Sequence, residues 1–232
     1  MFVVALGRWM LIQAVLWGAA LAWLATTNSR SEWQLALVLG ATASSYAALW
    51  RLLGAGRVLA DYVTLGRFLL LLSAFGCAHA GPTMGWWPWL GCVAAVAADL
   101  LDGYCARRFG GSEAGAVLDM ETDQFATLLL AWLLHQVVGV GAWVLLLPAY
   151  RYGFVLLSRL LQLPAHDPKP RDGDNSQARL ICAAMMVLLL LGLMPGMPTI
   201  LSHGAAGLAL CGLTWSYGSD LWFLLRRRRG VA

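Results

Sequence analysis

Apolar residues recur in long runs along the chain, broken by short polar, glycine or proline links. The runs occupy residues 9–26, 33–53, 61–80, 86–106, 115–138, 142–163, 180–194 and 201–225. A helix needs about 20 predominantly apolar residues to cross the hydrocarbon core of a bilayer. The pattern therefore predicts eight membrane-spanning helices: an all-α integral membrane protein. The second run carries many small residues (LGATASSYAA), which let helices approach closely in lipid. The longest polar break, residues 164–179, reads as a loop from its Pro, Asp and Gly content.

Composition supports this class. The 232 residues are 60% hydrophobic and only 12% charged, against about 25% charged in soluble domains. Twelve tryptophans suit a membrane interface, and Trp86, Trp87 and Trp89 cluster where one run begins. The five cysteines are scattered through apolar stretches without metal or disulfide spacing, so they read as small buried residues. Net charge is +4. The basic run 226–229 reads as a stop-transfer flank and a contact for anionic lipid. It is too short and isolated for nucleic acid, so no nucleic-acid partner is expected.

Charge distribution sets the orientation. Arg8, Arg51, Arg57, Arg107, Arg108, Lys169, Arg171, Arg179 and the run 226–229 fall on one side of an eight-helix arrangement, and Arg30 alone on the other. The positive-inside rule then places both termini in the cytoplasm, in a multi-pass protein of the cell (inner) membrane. The first run, preceded by Arg8, reads as an uncleaved helix. It is long for a signal core and ends in a poor cleavage site.

The chemistry concentrates at residues 99–123. Asp99 and Asp102 are three apart at the end of one predicted helix, and Asp119 and Asp123 are four apart at the start of the next. These spacings place each pair on one helix face. A short link makes the helices antiparallel neighbours, so all four carboxylates can converge. A lone pair would be explained as a helix cap or a solvated end; four on adjacent helices need a cation. Carboxylates are hard ligands that suit magnesium, manganese or calcium. Four can hold two divalent ions, an arrangement suited to phosphoryl displacement. Gly103 leaves room for a ligand, and Arg107 offers a phosphate fork.

The stretch resembles the motif of the CDP-alcohol phosphotransferase (CDP-alcohol phosphatidyltransferase) family, D-x-x-D-G-x-x-A-R followed by G-x-x-x-D-x-x-x-D. Here the motif falls on Asp99, Asp102, Gly103, Ala106, Arg107, Gly115, Asp119 and Asp123. Seven residues separate Arg107 from Gly115, fewer than the family's usual eight or nine. Asp61, Thr64 and Arg67 resemble a second family element, an Asn-x-x-Thr pattern on the first core helix, with Asp in place of Asn. The resemblance implies a six-helix transmembrane catalytic core, residues 57–232, preceded by two additional transmembrane helices in residues 1–56. It implies an Mg2+- or Mn2+-dependent enzyme, with two ions, that transfers a phosphatidyl or related group from a CDP-linked donor, CDP-diacylglycerol in most members. The acceptor is an alcohol, CMP is released, and the setting is phospholipid biosynthesis.

By the same resemblance Asp99, Asp102, Asp119 and Asp123 are metal ligands, and Asp123 is the general base. Asp61, Thr64, Gly103, Arg107 and Gly115 line the nucleotide pocket. Membrane lipids are partners, and a homodimer is implied. Arg151, deep inside the sixth run, and Arg67 are the candidate acceptor contacts, because an arginine in a span faces a wet cavity or a polar partner. Glu121 points away from Asp119 and Asp123 and reads as structural. His79, His135, His166 and His203 are isolated, and none reads as catalytic.

A cation-binding transporter would carry its acids near mid-membrane on broken helices, whereas these sit at helix ends beside Arg107 and Arg108. Aspartate-rich prenyl transferases use adjacent aspartates, which are absent from this stretch. A catalytically idle membrane partner would not be expected to keep all four acids.

Overall fold

The computed structural model describes residues 32–52, 54, 57–109, 113–161 and 175–228, together with Trp9, Ile12, Gln13, Val15, Leu16, Ala19, Ala20 and Trp23. These residues form no strand. Seven α-helices are described: α1 (Glu32–Leu52), α2 (Leu59–Ala80), α3 (Trp86–Phe109), α4 (Glu113–Leu133), α5 (Leu146–Leu160), α6 (Asn175–Gly192) and α7 (Thr199–Arg228). A π-helical turn (Leu134–Val138) and a 3-10 turn (Ala142–Leu145) join α4 to α5. The eight positions described within residues 9–23 are helical; the rest of the first expected helix, and the loop containing His166, Lys169 and Arg171, lie outside the described residues.

The chain packs as two compact units, residues 1–129 and 130–232. In the first unit, α2 starts where the Asp61 Oδ2 accepts the Val58 N–H at 2.9 Å. A carboxylate in the first turn satisfies a donor the helix leaves open and complements its dipole. The helix stops at Gly81, and Pro82 cannot continue it. Pro88 sits in the first turn of α3, where a missing N–H costs nothing.

Small residues bring α2 and α3 together. A Cβ on Gly91 of α3 would lie 3.1 Å from the Ala74 Cβ of α2. Gly91→Leu is therefore expected to destabilise this unit by about 1–3 kcal/mol through overpacking, read as a lowered Tm in detergent micelles. Phe68, Leu71 and Phe75 of α2 are each about fully buried in the core of this unit. Helix α1 belongs to the same unit. Its Ser45 carbonyl accepts the Trp9 Nε1–H at 3.0 Å, and the Ser45 hydroxyl hydrogen-bonds Gln13.

In the second unit the chain turns at Gly139, whose φ of 85° is left-handed backbone that glycine adopts without strain. The Val140 N–H donates to the Leu134 carbonyl at 2.9 Å, and the His135 Nδ1–H donates to the Val140 carbonyl at 2.8 Å. Helices α6 and α7 form a tight hairpin in which the buried Ser202 hydroxyl donates to the Gly192 carbonyl at 2.7 Å. His203 bonds its own helix through the Thr199 carbonyl, while His79, in the first unit, stacks on Phe75.

The exterior of the helices carries large apolar side chains. Trp87, Trp215, Ile200 and Leu208 are all well exposed, an outer surface suited to lipid rather than water. By length and composition, one helix among the described residues, Leu59–Ala80, is long and apolar enough to cross a membrane, and Leu180–Gly192 is a shorter apolar helix. Helix α3 carries Asp99, Asp102, Arg107 and Arg108, and helix α4 carries Glu113, Asp119, Glu121 and Asp123, within the helix itself, which lowers their mean hydropathy.

Candidate active site

Three helices of the first unit contribute to one polar cluster. Arg67 lies two turns into α2, among apolar neighbours. Its side chain is only 2% exposed, so its charge must be compensated. One terminal nitrogen lies 3.0 Å from the Asp99 Oδ1 of α3 and 2.7 Å from the Asp119 Oδ1 of α4. The other donates to the Asp123 Oδ1 at 2.6 Å. The Nε–H donates to the Ala95 carbonyl at 3.2 Å, one turn before Asp99. Arg67 thus bridges all three carboxylates.

The helical periods explain the convergence. Asp119 and Asp123 share a face of α4 because they are four residues apart. Asp99 lies one turn after the Ala95 carbonyl, on the face of α3 that meets Arg67. Unlike Arg67, the three aspartate side chains are 41–44% exposed. The cluster is anchored at its buried end and open at the other.

A divalent cation fits this donor set. One carboxylate oxygen from each of Asp99, Asp119 and Asp123 lies within 4.8 Å of the others. Opposite oxygens around a magnesium ion stand about 4.2 Å apart, and around calcium about 5 Å. Three carboxylates and one guanidinium also leave a formal charge of −2. The oxygens are hard ligands, matched to magnesium or manganese rather than to softer metals.

The remaining residues singled out in the sequence distribute around this cluster. Thr64 is buried one turn before Arg67, and its hydroxyl donates to the Ala60 carbonyl at 3.1 Å. Asp61, one turn earlier, is 5% exposed; its Oδ2 caps the helix and its Oδ1 is buried without a hydrogen-bond partner. Gly103 is half-buried on α3, and Gly115 half-buried at the start of α4. Asp102 and Arg107 lie on α3, but their side chains are outside the described residues, as is most of the link between α3 and α4. Arg151 is half-buried on α5 in the second unit. Glu121 is buried on α4.

The family assignment follows from this chain's sequence over most of its length. The sequence model of the CDP-alcohol phosphatidyltransferase family matches residues 57–215. The chain belongs to the CDP-alcohol phosphatidyltransferase family. Residues 57–215 take in α2 through most of α7, and with them the whole Arg67–aspartate cluster. No curated protein and no solved structure matches the chain. The family consists of membrane-associated transferases that move a phosphatidyl group from a CDP-linked alcohol to an alcohol acceptor.

Two features of the site were not read from the sequence. Sequence alone points Arg67 toward the acceptor, whereas the structure pairs it with three aspartates; the signal in the sequence is a single arginine inside an apolar helix. Thr122, fully buried between Glu121 and Asp123, had no signal beyond its position.

Proposed function

We propose that the chain transfers the phosphatidyl group of CDP-diacylglycerol to an alcohol, with release of CMP, in phospholipid synthesis. The observation that carries this reading is the convergence of Asp99, Asp119 and Asp123 on Arg67 within the family-matched region. Asp99, Asp102, Asp119 and Asp123 would hold two magnesium or manganese ions. Bound there, the ions supply charge neutralisation to the donor's pyrophosphate and to departing CMP.

The chain's own groups do the rest. Arg67 occupies the Asp123 Oδ1, which leaves Oδ2 to accept the proton of the acceptor hydroxyl. The acceptor oxygen then bonds to the phosphatidyl phosphorus as the phosphorus–oxygen bond to CMP breaks, and CMP leaves with the electron pair. Asp61, Thr64, Gly103, Arg107 and Gly115 surround the nucleotide. The unpaired Oδ1 of Asp61 is an acceptor suited to an N–H or O–H donor of a ligand. Arg67 holds the three aspartates together at the buried end of the site. The protein works as a homodimer, with both termini and the active site facing the cytoplasm.

The test is product identification in membranes that contain the protein, supplied with CDP-diacylglycerol, Mg2+ or Mn2+ and a panel of alcohols: glycerol phosphate, inositol and its phosphate, serine, and amino alcohols. One acceptor should yield a phosphatidylated product and CMP in equal amounts. Folded protein that forms no such product with any acceptor would contradict the reading.

A further inference from the structure

Helix α1 precedes residues 57–215 and so lies outside the family-matched region, yet one of its side chains reaches a hydroxyl and a ring that flank the aspartate cluster. We propose that Tyr46 of α1 is a positioning residue for this cluster, holding α2 and α4 at the rotation that aims Arg67, Asp119 and Asp123 at one another.

Two contacts carry the proposal. The Tyr46 ring stacks on Phe68, with centroids 3.6 Å apart and planes 11° from parallel. Phe68 follows Arg67 directly, and also packs against Phe125 of α4 with centroids 4.8 Å apart. Phe125 lies two residues after Asp123. Tyr46 and Phe125 therefore both hold the residue next to Arg67.

The second contact is polar. The Tyr46 hydroxyl lies 3.0 Å from the Thr122 Oγ1. Thr122 donates its one hydroxyl proton to the Leu118 carbonyl at 2.8 Å, so Tyr46 is the donor between them. Both residues are buried, Tyr46 at 3% exposure and Thr122 at 0%. Leu118 and Thr122 are the immediate neighbours of Asp119 and Asp123. Each helical residue turns the chain by about 100°, so fixing the Thr122 face toward α1 fixes where Asp119 and Asp123 point. A change of α4 rotation would open the Tyr46–Thr122 bond in a buried place, where no water replaces it.

Tyr46 touches neither substrate nor metal in this scheme. Its removal acts through the aspartates. The inference rests on the reading of the aspartates as a cation site, and the experiment separates the two. Mn2+ binding to the purified full chain in detergent, followed by electron paramagnetic resonance, reads the cluster without reference to turnover. Tyr46→Phe keeps the ring and removes the donor. It should weaken Mn2+ binding about 5-fold, and Tyr46→Leu, which also loses the stack, about 20-fold or more. Thr122→Val should match Tyr46→Phe, Thr122→Ser should restore binding, and the Tyr46→Phe/Thr122→Val pair should be no weaker than either alone.

The control is Thr42→Val. Thr42 is buried on the same helix, and its hydroxyl bonds the Val38 carbonyl of that helix. This variant should bind Mn2+ as the unaltered chain does. Unchanged binding in Tyr46→Phe, or equal weakening in Thr42→Val, would overturn the positioning role and leave the cation site standing. An unaltered, folded chain that binds no Mn2+ would overturn both. Should Tyr46→Phe fail to fold, the Thr122→Val and Thr122→Ser comparison decides.

Discussion

Replacing Asp123 with Asn is expected to lower CMP release by roughly 100- to 10,000-fold, the usual range for loss of a positioned general base. The substitution keeps the shape of the side chain. An Asn oxygen still accepts the Arg67 N–H that now meets the Asp123 Oδ1 at 2.6 Å. What disappears is the second oxygen, replaced by an amide nitrogen that cannot take a proton. Folding should survive, because Asp123 is not a core residue and its side chain is 44% exposed. The measurement is CMP release at saturating donor and metal, beside a thermal unfolding profile of the same sample. A folded Asp123→Asn protein with full turnover would remove Asp123 from the base role.

The second large effect is on stability. Arg67→Met should destabilise the metal-free protein by about 2–3 kcal/mol. Removing one partner from a fully buried ion pair costs about 3–5 kcal/mol; the three carboxylates here are 41–44% exposed, and solvent screening reduces the penalty. Three acidic side chains would then face one another with no cation between them. Mn2+ or Mg2+ should restore much of the loss, so the metal-induced rise in Tm is expected to be larger for Arg67→Met than for the unaltered protein. Equal Tm values without metal and equal responses to metal would show that Arg67 does not act as the counter-ion of the cluster.

These effects depend on contacts that sequence patterns show unequally. Hydropathy located the helices well. The runs 33–53, 61–80 and 86–106 correspond to Glu32–Leu52, Leu59–Ala80 and Trp86–Phe109. It placed the start of α6 and both ends of α7 too far inside, because backbone hydrogen bonding continues into polar flanks such as Asn175 and Arg228, where hydropathy falls. The apolar run 115–138 predicts continuous helix through 134–138, where the structure forms a π-helical turn. Only Gly139 marked the break, and an isolated glycine after an apolar run is also an ordinary helix end.

Spacing likewise made the acidic site legible as two pairs on two helix faces. The i, i+4 relation of Asp119 and Asp123 is local, and helical geometry alone dictates it. The partner of those acids is not local. Arg67 meets Asp119 and Asp123 across more than fifty positions of chain, and Tyr46 meets Thr122 across 76. No periodicity encodes such meetings; they follow from how α1, α2 and α4 pack. Arg67 is therefore visible in the sequence only as a charge inside an apolar helix, and Tyr46 only as one ring in a small-residue helix.

An aspartate cluster that serves as a cation-dependent site for a CDP-linked donor makes turnover follow the ion. The most direct test is CMP release from CDP-diacylglycerol by the purified, folded chain with its preferred acceptor, first with Mg2+ or Mn2+ and then after chelation. CMP should form only with the divalent ion, vanish with the chelator and return when the ion is added back. Release that continues undiminished in the chelator would contradict the account.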